Sequence, residues 1–505
     1  AAAQTYFGKA ANDLTLAEAS LLVGLVQLPA TLDPFYNPVG AKERQQTVLS
    51  LMVRRGYITQ AEAVAAYAEP LRLAPDPNLR TALAPHFVQY LDTYLAAPPR
   101  AINLLRAGLR IQSTLDLDLQ DFAQRIVTEQ VDRLRAGFNL NNAALVALKV
   151  GTGEVVAMVG SSDYANDGIG GQVNVTLRKR QPGSAIKPVV YATALDTDEV
   201  SPASLLWDLR VEYPIGDNKT YVPQNYDERL RGPVTVRMAL ANSLNVPTIK
   251  LFDALDPEIF LATANRMGVD FTADGLQRAG LSAGLGALEV TPLELTNAYH
   301  TLANGGRFVE ATPVLSVTDG MGRPVTLPVG RAEQQAISPE TAFLVTDILS
   351  DNRARASIFG EASRLQLSRP AAAKTGTTTD FRDNWTVGYT RYLVAGVWSG
   401  NNSGAPMRGV DGITGAGPIW NQFMEGVIAD PKLLAIIGAP ADAPAWDFTP
   451  PPGVSQVEAD CPAPLYCRTD GEYFSYDWLQ TMAPLGGPYG DSFARGVLAG
   501  VDVEQ

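Results

Sequence analysis

Two β-hairpin patterns at opposite ends of a largely helical stretch constrain this chain more than any other feature. Residues 144–150 (Ala-Leu-Val-Ala-Leu-Lys-Val), the turn Gly151-Thr152-Gly153 and residues 154–159 read as one hairpin, because short apolar, β-branched runs bounded by glycines favour paired strands. Far downstream, Asn384-Trp385-Thr386-Val387-Gly388-Tyr389 and Leu393-Val394-Ala395-Gly396-Val397-Trp398 read as a second. Strands this far apart cannot each bury an apolar face alone. They imply one antiparallel sheet closed by sequence-distant strands, with helices on its faces, an α+β fold.

The surrounding chain divides around that region. Residues 1–68 read as helices, one beginning at Leu14-Thr15-Leu16 and another carrying Val48, Leu49, Leu51, Met52 and Val53, with a proline-containing loop between them. Residues 69–140 mix prolines with a helix over about 117–134 and read as a connecting region with little core of its own, the helix being polar and solvated. Residues 141–430 form the α+β domain. Residues 431–505, with Pro450-Pro451-Pro452-Gly453, read as a loosely built appendage of unassigned role.

Bulk composition narrows the function. With 505 residues, 46% hydrophobic and 18% charged, the chain is globular and long enough for several domains. A net charge of −13 argues against a nucleic-acid partner. No apolar run reaches the roughly 20 residues that span a bilayer, and no signal peptide opens the chain. The two histidines, His86 and His300, are far apart with no Cys/His cluster, so neither a metal site nor a cofactor is expected. Cys461 and Cys467 are compatible with one local disulfide or with two free thiols. His86 is expected to pack or cap rather than catalyse.

Three short motifs carry chemistry. Ser184 and Lys187 stand three residues apart at the start of an apolar helical run, which makes them neighbours on a helix surface. A serine needs an adjacent base, and a lysine serves only if burial or nearby charge keeps it neutral. Taken alone the pattern is weak, and a solvated Ser/Lys pair is the commoner explanation of such spacing. Ser243-Leu244-Asn245, in a turn after the helical run 234–242, offers a second hydroxyl to relay a proton and an amide to hold a substrate amide. Lys374-Thr375-Gly376-Thr377 reads as an edge strand along which an extended peptide could pair, glycine admitting close backbone approach and lysine and threonine binding a carboxylate.

Together, in this order, the motifs resemble the penicilloyl serine transferases, whose Ser-x-x-Lys, Ser-x-Asn and Lys-Thr-Gly set is shared by penicillin-binding proteins and class A β-lactamases. More narrowly, the chain resembles a class A (bifunctional) penicillin-binding protein, with a 1C-like character. That resemblance rests also on Arg180-Gln181-Pro182-Gly183, Tyr221-Val222-Pro223-Gln224-Asn225-Tyr226-Asp227, Glu289-Val290-Thr291-Pro292, Asp383-Asn384-Trp385 and Gly415-Ala416-Gly417-Pro418-Ile419-Trp420. Tyr6-Phe7-Gly8-Lys9 and Arg44-Gln45-Gln46-Thr47-Val48-Leu49-Ser50-Leu51-Met52 resemble the closing part of the family's lysozyme-like, all-α glycosyltransferase domain. The resemblance implies a D,D-transpeptidase inhibited by β-lactams, with Ser184 as nucleophile, Lys187 as base, Ser243 as relay, and Asn245, Lys374, Thr375, Gly376 and Thr377 holding substrate. It further implies peptidoglycan stem peptides and β-lactams as partners, possible contacts with other cell-wall synthesis proteins, and a place at the bacterial cell membrane on the extracytoplasmic, periplasmic side. The membrane anchor and the glycosyltransferase glutamate would lie upstream, so no glycan polymerisation is expected of this fragment.

Three rival readings stand beside this one. A DD-carboxypeptidase or serine β-lactamase shares the fold and the motifs, and a β-lactam sensor or peptidoglycan-binding module shares the fold without turnover. Gly280-Leu281-Ser282-Ala283-Gly284 matches a nucleophile elbow, but the preceding residues are polar and glycine-interrupted where that motif needs a strand, so a packing turn is expected. Leu285-Gly286-Ala287-Leu288 departs from the family's usual Leu-Gly-Gly sequence, and nothing catalytic is assigned to it.

Overall fold

In the computed structural model, the described residues are 2–481, apart from 30, 36, 75–82, 99, 101–107, 216–218, 328–330, 458–464, 467 and 469. Cys461 and Cys467, and with them the disulfide question, lie outside the described residues. The chain forms two units, residues 1–85 and 86–505.

The described elements of the first unit are helical, including Leu16–Leu25, Pro38–Arg54 and Gln60–Ala68. Two of these begin in capping boxes, Thr15 with Glu18 and Thr59 with Glu62, each satisfying otherwise orphaned first-turn donors. Leu21, Leu25, Ala41 and Phe7 form one apolar cluster, and Ala17, Leu49, Ala63 and Ala66 another.

The second unit is built on a five-stranded antiparallel sheet. Its strands are β1 (Asn142–Lys149), β2 (Val155–Val159), β3 (Ala372–Thr377), β4 (Asp383–Tyr389) and β5 (Leu393–Gly400), in the spatial order β3-β4-β5-β1-β2. The two expected hairpins are therefore present, and β5 joins them by pairing with β1 from Leu393↔Lys149 to Gly400↔Asn142. Side-chain alternation sends Ala395 and Val397 into one core and Gly396 to the other face, where Thr296 fills the space a side chain would occupy.

Helices α1 (Leu117–Phe138) and α6 (Ala416–Ala429) cover the first face; α4 (Pro292–Ala303) covers the second. Between them in sequence lie α2 (Lys187–Leu195), α3 (Asn245–Ala254) and α5 (Pro339–Ser350). The sequence expectation for 117–134 is corrected here. Leu119, Ala123, Ile126, Val127, Val131 and Leu134 recur at helical spacing and are buried in the sheet's main core, so α1 is solvated on one side only. His86 does pack: it is buried, its Nε2 lies 2.9 Å from Gly171 O, and burial lowers its pKa.

The carboxy-terminal expectation of a loose appendage is corrected for the two strands that the structure describes there. Strands Val454–Val457 and Glu472–Ser475 form a hairpin, and Glu472 reaches the fully buried guanidinium of Arg237, which also pairs with Asp347 and Asp351. Desolvation works against the Arg237 cation, but the three carboxylates outweigh it and raise its pKa.

Candidate active site

The residues around Ser184 occupy a 3₁₀ turn, Gly183–Ile186, that runs directly into α2. Gly183 has φ +52°, and a Cβ there would lie 2.6 Å from Thr377 O. Gly376 faces the same turn, and its Cβ would lie 2.2 Å from Pro182 O. Edge strand β3 thus lies with its backbone against the backbone of the serine turn, which only glycines permit. The turn is anchored elsewhere by Tyr299 Oη, which donates to Ala185 O at 2.7 Å, and by Trp385 Nε1, which donates to Gln181 O at 2.8 Å. Gly286 approaches from a third side, where its Cβ would lie 2.2 Å from Gly183 O. The Leu-Gly-Ala-Leu segment therefore shapes the serine turn by packing.

Strand register decides which way β3 points. Thr378 N–H donates to Asp383 O, and hydrogen-bonded pairs alternate along an antiparallel ladder, so the N–H and C=O groups of Thr375 and Thr377 face away from β4. This leaves the Thr377 amide on the free edge, beside Ser184.

Ser243 sits in the left-handed region at φ +58°, uncommon for a side-chain-bearing residue and frequent where a site imposes strain. That conformation sends its carbonyl to Lys187 and its hydroxyl to Lys374. Lys187 Nζ lies within hydrogen-bond reach of three acceptors, Ser243 O (2.7 Å), Leu244 O (3.0 Å) and Asn245 Oδ1 (2.8 Å), two of which a neutral amine can serve at once while keeping its lone pair. Fully buried, with no ion-pair partner among the described residues, it has a pKa held well below that of an ordinary lysine by desolvation and then by the Lys374 charge. Lys374 Nζ donates to Ser243 Oγ and Thr375 O, both at 2.8 Å. Burial, and next the Arg355 guanidinium, bring its pKa down to about 7.

A cavity of about 500 Å³ opens at this junction, lined by Ser184, Ser243, Asn245, Thr375 and Thr377 together with Tyr226, Ser357, Phe359 and Ile413. The five motif residues on its wall come from three regions of the sequence. The two lysines lie beneath that wall, buried, in contact with neighbouring hydroxyls and carbonyls. Ser184 Oγ makes no hydrogen bond to the described residues. Sequence reasoning missed the floor of the site: Gln224 and Asn225 hold Asn245, and Asp208 holds Asn225. The segment 221–227 carried a signal only as part of the resemblance.

Ser282 is not part of this arrangement. It follows helix Ala273–Ala279 rather than a strand, and its hydroxyl donates to Ala279 O at 2.6 Å, so Gly280–Leu285 is a packing turn.

Comparison with known proteins agrees with this architecture. Residues 143–425 match the family model for the penicillin-binding protein transpeptidase domain, and residues 1–53 match the transglycosylase model. Penicillin-binding protein 2D of Bacillus subtilis is 32% identical over 91% of this chain and 64% of its own length. Penicillin-binding protein 1A of Aquifex aeolicus is 30% identical over 84% of this chain and 68% of its own. Penicillin-binding protein 1C of Escherichia coli is 29% identical over 84% and 50%, so identity does not single out a 1C-like branch. The crystal structure of penicillin-binding protein 1A from Haemophilus influenzae superposes with a TM-score of 0.70 at 22% identity, covering 94% of this chain and 88% of that one, a likeness of fold. The chain belongs to the class A penicillin-binding proteins. It spans between half and about two thirds of the length of these curated relatives.

Proposed function

We propose that this chain is a peptidoglycan D,D-transpeptidase working through a Ser184 acyl-enzyme. The observation that carries the reading is the meeting of Ser184, Ser243, Asn245, Thr375 and Thr377 around one cavity, above a buried lysine whose pKa is lowered. Ser184 Oγ attacks the carbonyl of the penultimate D-Ala of a stem peptide, and its proton passes to neutral Lys187. The Ser184 and Thr377 amides stabilise the oxyanion, a contribution typically worth about 3–4 kcal/mol per donor. The leaving D-Ala amine is protonated through Ser243. Because Ser243 Oγ accepts from Lys374, its own proton is free to be given up, and Lys374 replaces it. Thr375 and Thr377 bind the substrate carboxylate from the cavity wall, and protonated Lys374 supplies the positive field behind them. An amine from a neighbouring stem then attacks the ester and gives its proton back to Lys374 through Ser243, while Ser184 leaves with the proton held by Lys187, making a cross-link.

β-Lactams present the same carbonyl and carboxylate and acylate Ser184 without rapid release. The reaction belongs on the extracytoplasmic side of a bacterial membrane, where stem peptides are displayed. Among the described residues no helix is long and apolar enough to cross that membrane. Glycan polymerisation is not proposed for the chain, and polymer formed from lipid-linked disaccharide would overturn that part of the reading.

Intact mass after incubation with benzylpenicillin, beside Ser184→Ala, tests the proposal. A lasting single penicilloyl adduct absent from the variant is expected. A short-lived adduct with drug turnover would replace transpeptidation by hydrolysis, and no adduct in either protein would leave a binding module.

A further inference from the structure

The carboxamide of Asn245 is held at both ends. Its Oδ1 accepts from Lys187 and its Nδ2 donates to Gln224 O at 2.8 Å. An amide group is nearly symmetric in shape, so only its partners decide which end faces where. A rotated Asn245 would set Oδ1 against the Gln224 carbonyl, acceptor against acceptor, and would take from the Lys187 amine one of the acceptors that hold it. It would also exchange the second Nδ2–H, which remains available to the cavity, for an acceptor.

What fixes Gln224 is the next residue. Asn225 is buried, and its Oδ1 accepts from Asn245 N (2.8 Å) and Val246 N (3.2 Å), two first-turn donors of α3. Leu244, at the N-cap position, has no side-chain acceptor, so Asn225 supplies the cap from a distant segment. The other end of Asn225 donates to both oxygens of Asp208, at 2.7 and 2.9 Å, and to Arg229 O at 2.7 Å. Asp208 is fully buried, receives Arg231 N at 3.1 Å, and as a carboxylate can only accept. Asn225 must therefore turn its amino end to Asp208 and its carbonyl end to α3.

We infer that Asp208 and Asn225 are positioning residues that set the polarity of the site: the buried carboxylate orients Asn225, Asn225 fixes α3 and the Gln224 carbonyl, and these hold Asn245 with its oxygen toward Lys187 and an N–H toward substrate. The inference rests on the proposed function and assigns a role to residues outside the three motifs. Nothing in it requires Asp208 to touch the reactants. It acts through a chain of donors and acceptors whose direction cannot be reversed at one link alone.

The test measures acylation rate constants for benzylpenicillin, which carries a side-chain amide, and for 6-aminopenicillanic acid, which does not, with thermal unfolding alongside. Asn225→Asp sets a carboxylate against Asp208 and removes its donor. Benzylpenicillin acylation is expected to fall roughly tenfold or more, against a loss under about threefold for 6-aminopenicillanic acid. The exchanged pair Asp208→Asn/Asn225→Asp restores one donor facing one acceptor and should recover part of the benzylpenicillin rate, the Arg229 carbonyl being left without its donor. Equal losses for both compounds would reduce the pair to a structural role and overturn the inference, as would unchanged rates or failure of the exchanged pair to recover. If the unaltered chain is acylated by neither compound, the functional reading itself falls and takes the inference with it.

Discussion

Replacing Gly376 by alanine tests how tightly the edge strand is fitted to the serine turn. The added Cβ would lie 2.2 Å from Pro182 O, 2.9 Å from Ala185 N and 3.0 Å from Ala185 Cβ. Two of these are backbone atoms of the segment that carries Ser184, so no side-chain rotation relieves the contact. Restoring an ordinary carbon–oxygen separation requires the strand and the turn to part by about 1 Å, and a misplacement of that size at a reacting centre can cost on the order of 10²-fold in rate. If the fold absorbs the shift instead, overpacking costs about 1–3 kcal/mol. The assay pairs the benzylpenicillin acylation rate constant with thermal unfolding, and a fall of about 10²-fold with a lowered Tm is expected. Acylation within threefold of the unaltered chain at an unchanged Tm would refute the close-packing argument. An unchanged Tm with weakened binding alone would return Gly376 to the ligand-approach role expected from sequence.

Three further outcomes follow from the same geometry. Lys374 is protonated below about 7 and its charge favours the β-lactam carboxylate, so acylation should decline as pH rises through about 7. Burial is the larger cause of that lowered value and Arg355 the second, so Arg355→Gln should move the alkaline limb upward without returning it to 10.5. A limb that stays put or moves down would contradict the assignment. Glu472→Gln removes one of three carboxylates from buried Arg237 and should cost about 2 kcal/mol in urea unfolding, less than the loss of a sole partner because Asp347 and Asp351 remain. Ser282→Ala should leave the acylation rate unchanged, since its hydroxyl is occupied by Ala279 O, and a large loss would reopen the nucleophile-elbow reading.

What could be read from sequence was local. The hairpins announced themselves through short apolar runs and glycine turns, and the three motifs through residue types whose chemistry is specific. Helix α1 was also legible in principle. Its apolar residues at 119, 123, 126, 127, 131 and 134 keep helical spacing, but the Asp, Gln and Arg residues between them dominated its average character. Asp208 and Asn225 were hidden because the contacts that matter are set by folding: a strand end and a loop residue meet at the start of the helix that Asn245 opens. The pairing of Arg237 with Glu472 spans more than 200 residues and leaves no local trace. Gly376 was noticed for the close backbone approach it permits, and only the assembled sheet shows that the serine turn is one backbone that comes close.

The pairing of β5 with β1 also has a kinetic side. Bringing Leu393 onto Lys149 closes a loop of some 240 residues, for which chain entropy alone costs about 5 kcal/mol before any contact repays it. β1 is covered on both faces in the finished sheet, so until Gly400 has emerged and paired, an apolar two-stranded remnant stands open with an unpaired edge. Such long-range closure makes for slow folding. A nascent or truncated chain ending before residue 400 should therefore depend on being kept apart from its neighbours.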